Sequence, residues 1–229
     1  MSDVGAARRF GTGPLSRVSA LVYTLIVVEL LILLTAVPGL VALVLLDRSA
    51  GNVPLAAACL LPAGPALSAA LYALRHRSRE LADLRPAGAF WRGYRLNFAG
   101  VLKIWAPWLA WMAVVGTSLA NFAAAGVPGW WAVLLVAVAA GPTLWVVNAL
   151  VITSLFAFRA VDVARLAAYA LGRFPRATLA DACLLVVAAG VTLFASEAVL
   201  ALLASVLTAT LLWNAGPMIT EVQQRFTRP

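Results

Sequence analysis

The sequence predicts an all-α, polytopic membrane protein, and three observations carry that expectation. Of its 229 residues, 63% are hydrophobic and 11% charged, whereas soluble domains carry ~25% charge. Six apolar stretches, at 18–46, 53–74, 98–120, 130–158, 178–195 and 197–217, each reach or approach the ~20 residues that cross a bilayer as helix. Of the 17 basic residues, 16 lie on one side, in the terminal segments, in one alternating set of connections or, for Lys103, near the end of a stretch beside them, and only Arg48 falls in the opposite set. The spans leave little sequence for anything else, so 1–229 is read as one transmembrane domain.

The first stretch, Val18–Leu46, runs about 43 Å at ~1.5 Å per residue, against a hydrocarbon core of ~30 Å. It has to tilt, bend or break, and Pro38-Gly39 is the place, since proline removes a backbone donor and crowds the preceding turn. Glu29 lies within this stretch, about 16 Å from its start at helical rise and so close to the midplane. An acid there costs roughly 2.5–3.5 kcal/mol on insertion scales and by default marks a function. Two readings stand: a proton-coupling or ligand-binding carboxylate with Asn148 as partner, or a structural acid hydrogen-bonded to another helix. No Lys or Arg occupies the centre of a span; Lys103 is placed to snorkel towards the nearer surface.

The second stretch carries Gly64-Pro65 and the fourth Gly141-Pro142. Each pair is read either as an unwound site that exposes backbone carbonyls, as in transporters with broken spans, or as a kink that neighbouring helices repair. Beyond each pair the chain leaves the membrane through a basic segment and returns. Pro65 and Asn97 are 32 positions apart, Pro142 and Pro175 33, so the two segments are expected to form a parallel repeat. In the first basic segment Phe90, Trp91, Tyr94 and Phe98 share a helical face beside Arg92 and Arg95, with Pro86 at a tolerated helix start. In the second, Asp162 is a plausible cap, and Val161, Leu166, Tyr169 and Phe174 accompany Arg165 and Arg173. Both are expected to lie in the inner membrane interface. In the third stretch Trp105, Trp108 and Trp111 recur every third residue, either as packing and lipid-facing aromatics or as a stacking path for sugar rings. Asp181 begins the fifth stretch, where a helix N-terminus favours an acid, and Glu197 stands at the opposite end of the bilayer.

The segment Gly64-Pro65-Ala66-Leu67-Ser68-Ala69-Ala70-Leu71-Tyr72-Ala73-Leu74, followed by Phe90-Trp91-Arg92-Gly93-Tyr94-Arg95-Leu96-Asn97-Phe98, resembles the bacterial membrane proteins grouped as YesL-like, or domain of unknown function 624. The resemblance covers essentially the whole chain and is most specific from Gly64 to Phe98. The sequence departs from the family pattern by the insertion of Leu40–Pro62, which makes two clear spans where shorter members are compact. The resemblance implies a membrane protein that accompanies oligosaccharide uptake and breakdown, and it brings no catalytic residue.

The net charge of +8 does not call for nucleic acid. Its one-sided distribution is the positive-inside pattern and places both termini in the cytoplasm of a plasma-membrane protein, with some attraction to anionic headgroups. Cys59 and Cys183 fall inside spans and imply no disulfide. His76 is the only histidine, so no histidine-based metal cluster or triad can form, and no phosphate loop is present. No enzyme activity, cofactor or metal is expected. Ala167-Ala168-Tyr169-Ala170-Leu171-Gly172 has the Ala-Ala-x-x-x-Gly spacing of importer coupling loops, but Leu166 stands where that motif leads with an acid. The expected function is a permease-like or accessory component of oligosaccharide uptake; the alternative is a non-transporting structural or regulatory subunit that docks partners through its basic loops. The expected partners are the bilayer and either a sugar-importer complex or a second copy of the chain.

Topology can be tested directly. With Cys59 and Cys183 replaced by alanine, Ala50→Cys is expected to react with an impermeant maleimide outside intact cells, and Ser78→Cys only after the membrane is opened. Labelling in the opposite pattern would overturn the inside assignment of the termini.

Overall fold

The computed structural model describes residues 14–47, 49–77 and 85–226. Among these every regular element is helical: α1 (Pro14–Leu45), a short 3₁₀ turn (Ala50–Asn52), α2 (Val53–Cys59), α3 (Ala63–Arg75), α4 (Pro86–Ala120), α5 (Trp130–Leu155), α6 (Ala160–Arg173), α7 (Pro175–Phe194), α8 (Glu197–Leu202), α9 (Ala204–Asn214) and α10 (Gly216–Phe226). Among the described residues five segments are long and apolar enough to cross a membrane: Leu15–Leu45, Ala50–Arg75, Pro86–Ala120, Trp130–Leu155 and Pro175–Phe194. Their outward faces carry side chains such as Leu34, Val133, Val186 and Leu193, the surface that lipid would cover.

The two ends of the bundle differ chemically. Thr24, His76, Arg77, Arg85 and Arg92 line one cleft, Arg75 shares another with Trp213 and Thr220, and Arg173 approaches Glu221. This is the basic end. At the far end Asp47, Asn52, Ala120 and Glu197 meet around a third cleft. The chain from Glu197 to Asn214 therefore runs from the far end to the basic end, as α8 and α9 with a break at Leu203.

The core lies towards the basic end. Phe90 and Val28 are fully buried with Ala66, Ala69, Ala70 and Ala73, so small residues on α3 let α1 and α4 approach closely. A second cluster joins Leu71, Val101, Ile104, Val146 and Ile152 to Val163 and Ala167 of α6 and to Met218 and Val222 of α10. By contrast Asp181 is the only buried residue of α7.

Several sequence expectations change here. Pro38 lies inside an unbroken helix of 32 residues, and Gly141-Pro142 inside one of 26, so neither is a helix break. At Pro142 the reason is visible: proline frees the carbonyl four residues earlier, and the indole N–H of Trp111 donates to that oxygen, Val138 O, at 3.4 Å. Gly64-Pro65, in the first turn of α3, does follow a break, at Leu60–Pro62, where Trp105 Nε1 donates to Leu60 O at 3.0 Å. The first basic segment is not a separate interfacial helix. It forms the opening turns of the 35-residue α4, and Phe90 faces protein, not lipid. The second segment is a helix of its own, α6, which buries Val163, Ala167 and Ala170 and exposes Arg165 and Arg173. The two segments of the expected repeat are thus built differently.

The two glycines that the sequence presents as equivalents separate in the same way. A Cβ on Gly64 would sit 2.5 Å from the Trp105 ring, whereas one on Gly141 would meet nothing within 4 Å. Gly64→Ala is expected to displace Trp105 and cost about 1–3 kcal/mol, the usual range for overpacking. Gly141→Ala is expected to leave stability unchanged or raise it by ~0.5–1 kcal/mol through helix propensity. Thermal unfolding of both variants in the same detergent checks the pair; equal melting temperatures would show that Gly64 is not a close-contact position.

Candidate functional site

Glu29 finds its partner 176 residues away: its Oε2 accepts a hydrogen bond from the backbone N–H of Ser205 at 2.6 Å. Ser205 is the second residue of α9, whose N-cap, Leu203, has no side-chain oxygen and makes no side-chain cap bond. The first N–H groups of any helix lack acceptors within it, and the aligned peptide dipoles leave that terminus partly positive. A carboxylate from α1 therefore performs across the bundle what a capping Asp or Ser does locally. The second oxygen, Oε1, is shut off from the surface and has no hydrogen-bond partner among the described residues.

The other end of α9 is also held by an acid. Asn214, its last residue, donates from Nδ2 to Asp181 Oδ1 at 3.2 Å, and Asp181 is 2% exposed. Asp181 is not in the first turn of α7, so the expectation that it serves its own helix N-terminus is replaced by this link to α9. The break at Leu203 has no glycine or proline to announce it; the only sequence signal was an acid in an apolar run in need of a donor.

Asn148 is not the partner of Glu29. It is buried, and its Nδ2 donates to Leu144 O, one turn back on its own helix, at 3.1 Å. Asn97 donates to Ser154 O at 3.0 Å, satisfying one of the carbonyls that the end of α5 leaves free. The Ser154 hydroxyl in turn meets that of Ser68 at 2.8 Å, joining α3, α4 and α5. The tryptophans of the expected sugar path, and Trp145 of α5, spend their indole N–H groups on other parts of the protein. Trp105 and Trp111 serve Leu60 O and Val138 O, Trp108 donates to Thr143 Oγ1 and Trp145 to Ala164 O.

Of the residues expected at the surface, Arg92, Arg95, Arg165 and Arg173 are exposed. Trp91 is 38% exposed and meets the Tyr94 ring edge-on, with 5.7 Å between centroids. Sequence reasoning missed Glu221 of α10, which accepts from Tyr169 Oη at 3.2 Å and lies 3.5 Å from Arg225 and 3.9 Å from Arg173. It fastens α10 to α6, and its spacing to Arg225 was the signal available. No group of three or more metal-ligating side chains occurs among the described residues. Scanned against protein-family models, curated proteins and solved structures, the chain matches none of them.

The capping role separates two substitutions that remove the charge of Glu29. Glu29→Gln keeps a carbonyl oxygen for Ser205 N–H and is expected to melt close to the parent in detergent. Glu29→Leu leaves that donor unsatisfied and is expected to cost about 1–3 kcal/mol. A Leu variant as stable as the parent would remove Glu29 from the support of α9.

Proposed function

We propose that this is a multi-pass plasma-membrane protein of six crossings with cytoplasmic termini, which serves oligosaccharide uptake as an accessory subunit and docks cytoplasmic partners on its basic end. The observation that carries the reading is the use made of Glu29. The acid nearest the middle of the membrane caps α9, and the polar side chains Asn97, Asn148 and Trp105 each donate to a backbone carbonyl. Side chains spent in this way close a bundle; they do not line a path. The chemistry left uncommitted is at the basic end, where Arg95 and Arg165 are exposed.

The sixth crossing is supported by the two clefts that hold Glu197 at the far end and Trp213 at the basic end. The cytoplasmic placement of the basic end follows from the positive-inside pattern. The oligosaccharide setting rests on the YesL-like resemblance of Gly64–Phe98 alone.

A second reading, a permease-like component, is favoured by one observation. A crossing interrupted near mid-bilayer, with a helix N-terminus facing a carboxylate, is the arrangement that transporters use around substrates and ions.

The two readings predict different losses. In cells lacking the chain and complemented with variants, Arg95→Ala with Arg165→Ala is expected to reduce uptake of labelled oligosaccharide several-fold at unchanged protein level. Glu29→Gln is expected to leave uptake intact, and purified protein in vesicles is expected to move no more label than protein-free vesicles. Autonomous transport in vesicles that disappears in Glu29→Gln would replace the accessory reading with the second.

A further inference from the structure

One cleft at the basic end has a composition that the positive-inside pattern does not explain. It encloses about 370 Å³ between α1, α3 and the start of α4, and Arg77, Arg85, Arg92 and His76 all line it. The positive-inside pattern accounts for arginines on this side of the membrane, but it does not require them to converge. Among the described residues no carboxylate lines the cleft, and the carboxylate ion pairs of those residues lie elsewhere, on Glu221. Converging guanidinium groups repel one another unless an anion sits among them.

The backbone adds to the same field. Gly88 and Ala89 of the first turn of α4 also line the cleft, and this 35-residue helix starts with no acid in its first turn and no side-chain cap. Ala89 N–H bonds to Arg85 O, whereas the N–H groups of Ala87 and Gly88 precede the first acceptor that the helix can offer them. Such N–H groups and the helix dipole favour an anion. His76 Nδ1 donates to Tyr72 O at 2.9 Å, and its ring stacks on that of Tyr72 with 4.1 Å between centroids. Nδ1 is thereby fixed as a donor to the helix.

We propose that this cleft binds a phosphate group, held by the guanidinium forks of Arg77, Arg85 and Arg92 and by N–H groups of the first turn of α4. Planar guanidinium donors match the oxygens of phosphate in pairs. The volume falls near the lower end of the ~300–1,000 Å³ of small-molecule pockets, which leaves room for a small organic group on the phosphate. Two sources share this chemistry: the headgroup of an anionic phospholipid in the adjoining leaflet, and a soluble phosphate ester. The site is separate from the accessory reading and stands whether or not the protein serves sugar uptake.

The test uses the full chain, delipidated in detergent, with glycerol 3-phosphate and inorganic phosphate as soluble probes in equilibrium dialysis. A second arm counts phosphatidylglycerol against phosphatidylcholine retained by the protein in mixed nanodiscs. Gly88→Trp adds a large ring at a residue that lines the cleft, without changing charge and at a position where an added Cβ meets nothing within 4 Å. Gly172→Trp places the same ring on another open position, away from the cleft. Arg85→Ala with Arg92→Ala removes two of the donors. Saturable binding that weakens at least tenfold in Gly88→Trp and in the double arginine variant, but not in Gly172→Trp, is the expected result. Binding of the soluble probes assigns a soluble ester, and selective retention of phosphatidylglycerol assigns a lipid headgroup. Absence of both, or binding that Gly88→Trp leaves unchanged, overturns the proposal.

Discussion

The hydrogen bond from Ser205 N–H to Glu29 meets the constraint on which the rest of the bundle depends: hydrocarbon offers no water to an unpaired backbone group. A membrane helix can be interrupted only where another part of the protein supplies the missing partner. This chain interrupts its helices repeatedly and supplies the partner from a neighbouring helix each time. Glu29 of α1 serves the N–H of α9, and Trp105 of α4 serves the carbonyl of Leu60 between α2 and α3. Trp111 serves the carbonyl that Pro142 frees, and Asn97 serves the end of α5. These polar contacts also fix which helices are neighbours, a selection that apolar side chains alone make weakly in lipid.

The same constraint separates what was legible in the sequence from what was not. Apolar length announced five of the six expected spans, because a helix in lipid satisfies its own backbone and needs only composition to be recognised; the sixth stretch is divided at Leu203 into short helices. Glu29 was legible as an anomaly for the converse reason, since an acid in that run has to be given a partner. The identity of the partner was not legible. It is a backbone N–H, which carries no residue signature, and it is exposed by a break at Leu203 that has neither glycine nor proline.

Proline misled in the other direction. Pro38 and Pro142 carry the strongest local breaking signal, yet both lie in continuous helices; at Pro142 the freed carbonyl is harmless because an indole from another helix reaches it. Periodicity likewise identified Phe90, Trp91, Tyr94 and Phe98 as one apolar face but could not say what covers it. Small residues on α3 bring Phe90 into protein contact, whereas Val161 and Tyr169 on α6 remain exposed. The resemblance-bearing segment Gly64–Phe98 is thus chiefly a packing unit: Gly64 admits Trp105, Ala66 to Ala73 admit Phe90 and Val28, and Asn97 closes α5.

The two acids explain how α9 can exist at all. Its 11 residues span about 16 Å at helical rise, roughly half of a ~30 Å hydrocarbon core, so one of its ends must fall inside the membrane if its other end reaches the surface. Helices this short are not stable alone, and this one is also tied at both termini, to Glu29 and to Asp181. Its tether at Asp181 does a second job for α7, which buries no other residue and otherwise meets the bundle through the bond of Thr178 to Leu171 O near its start and through apolar contacts that lipid can replace. Removing either acid therefore acts on an element that is not its own: loss of Glu29 frees the start of α9, and loss of Asp181 frees α7 as well. The carboxylate of Glu29, within the long apolar α1, is thus an assembly device before it is a chemical one, and the uncommitted charge of the molecule is left at the basic end.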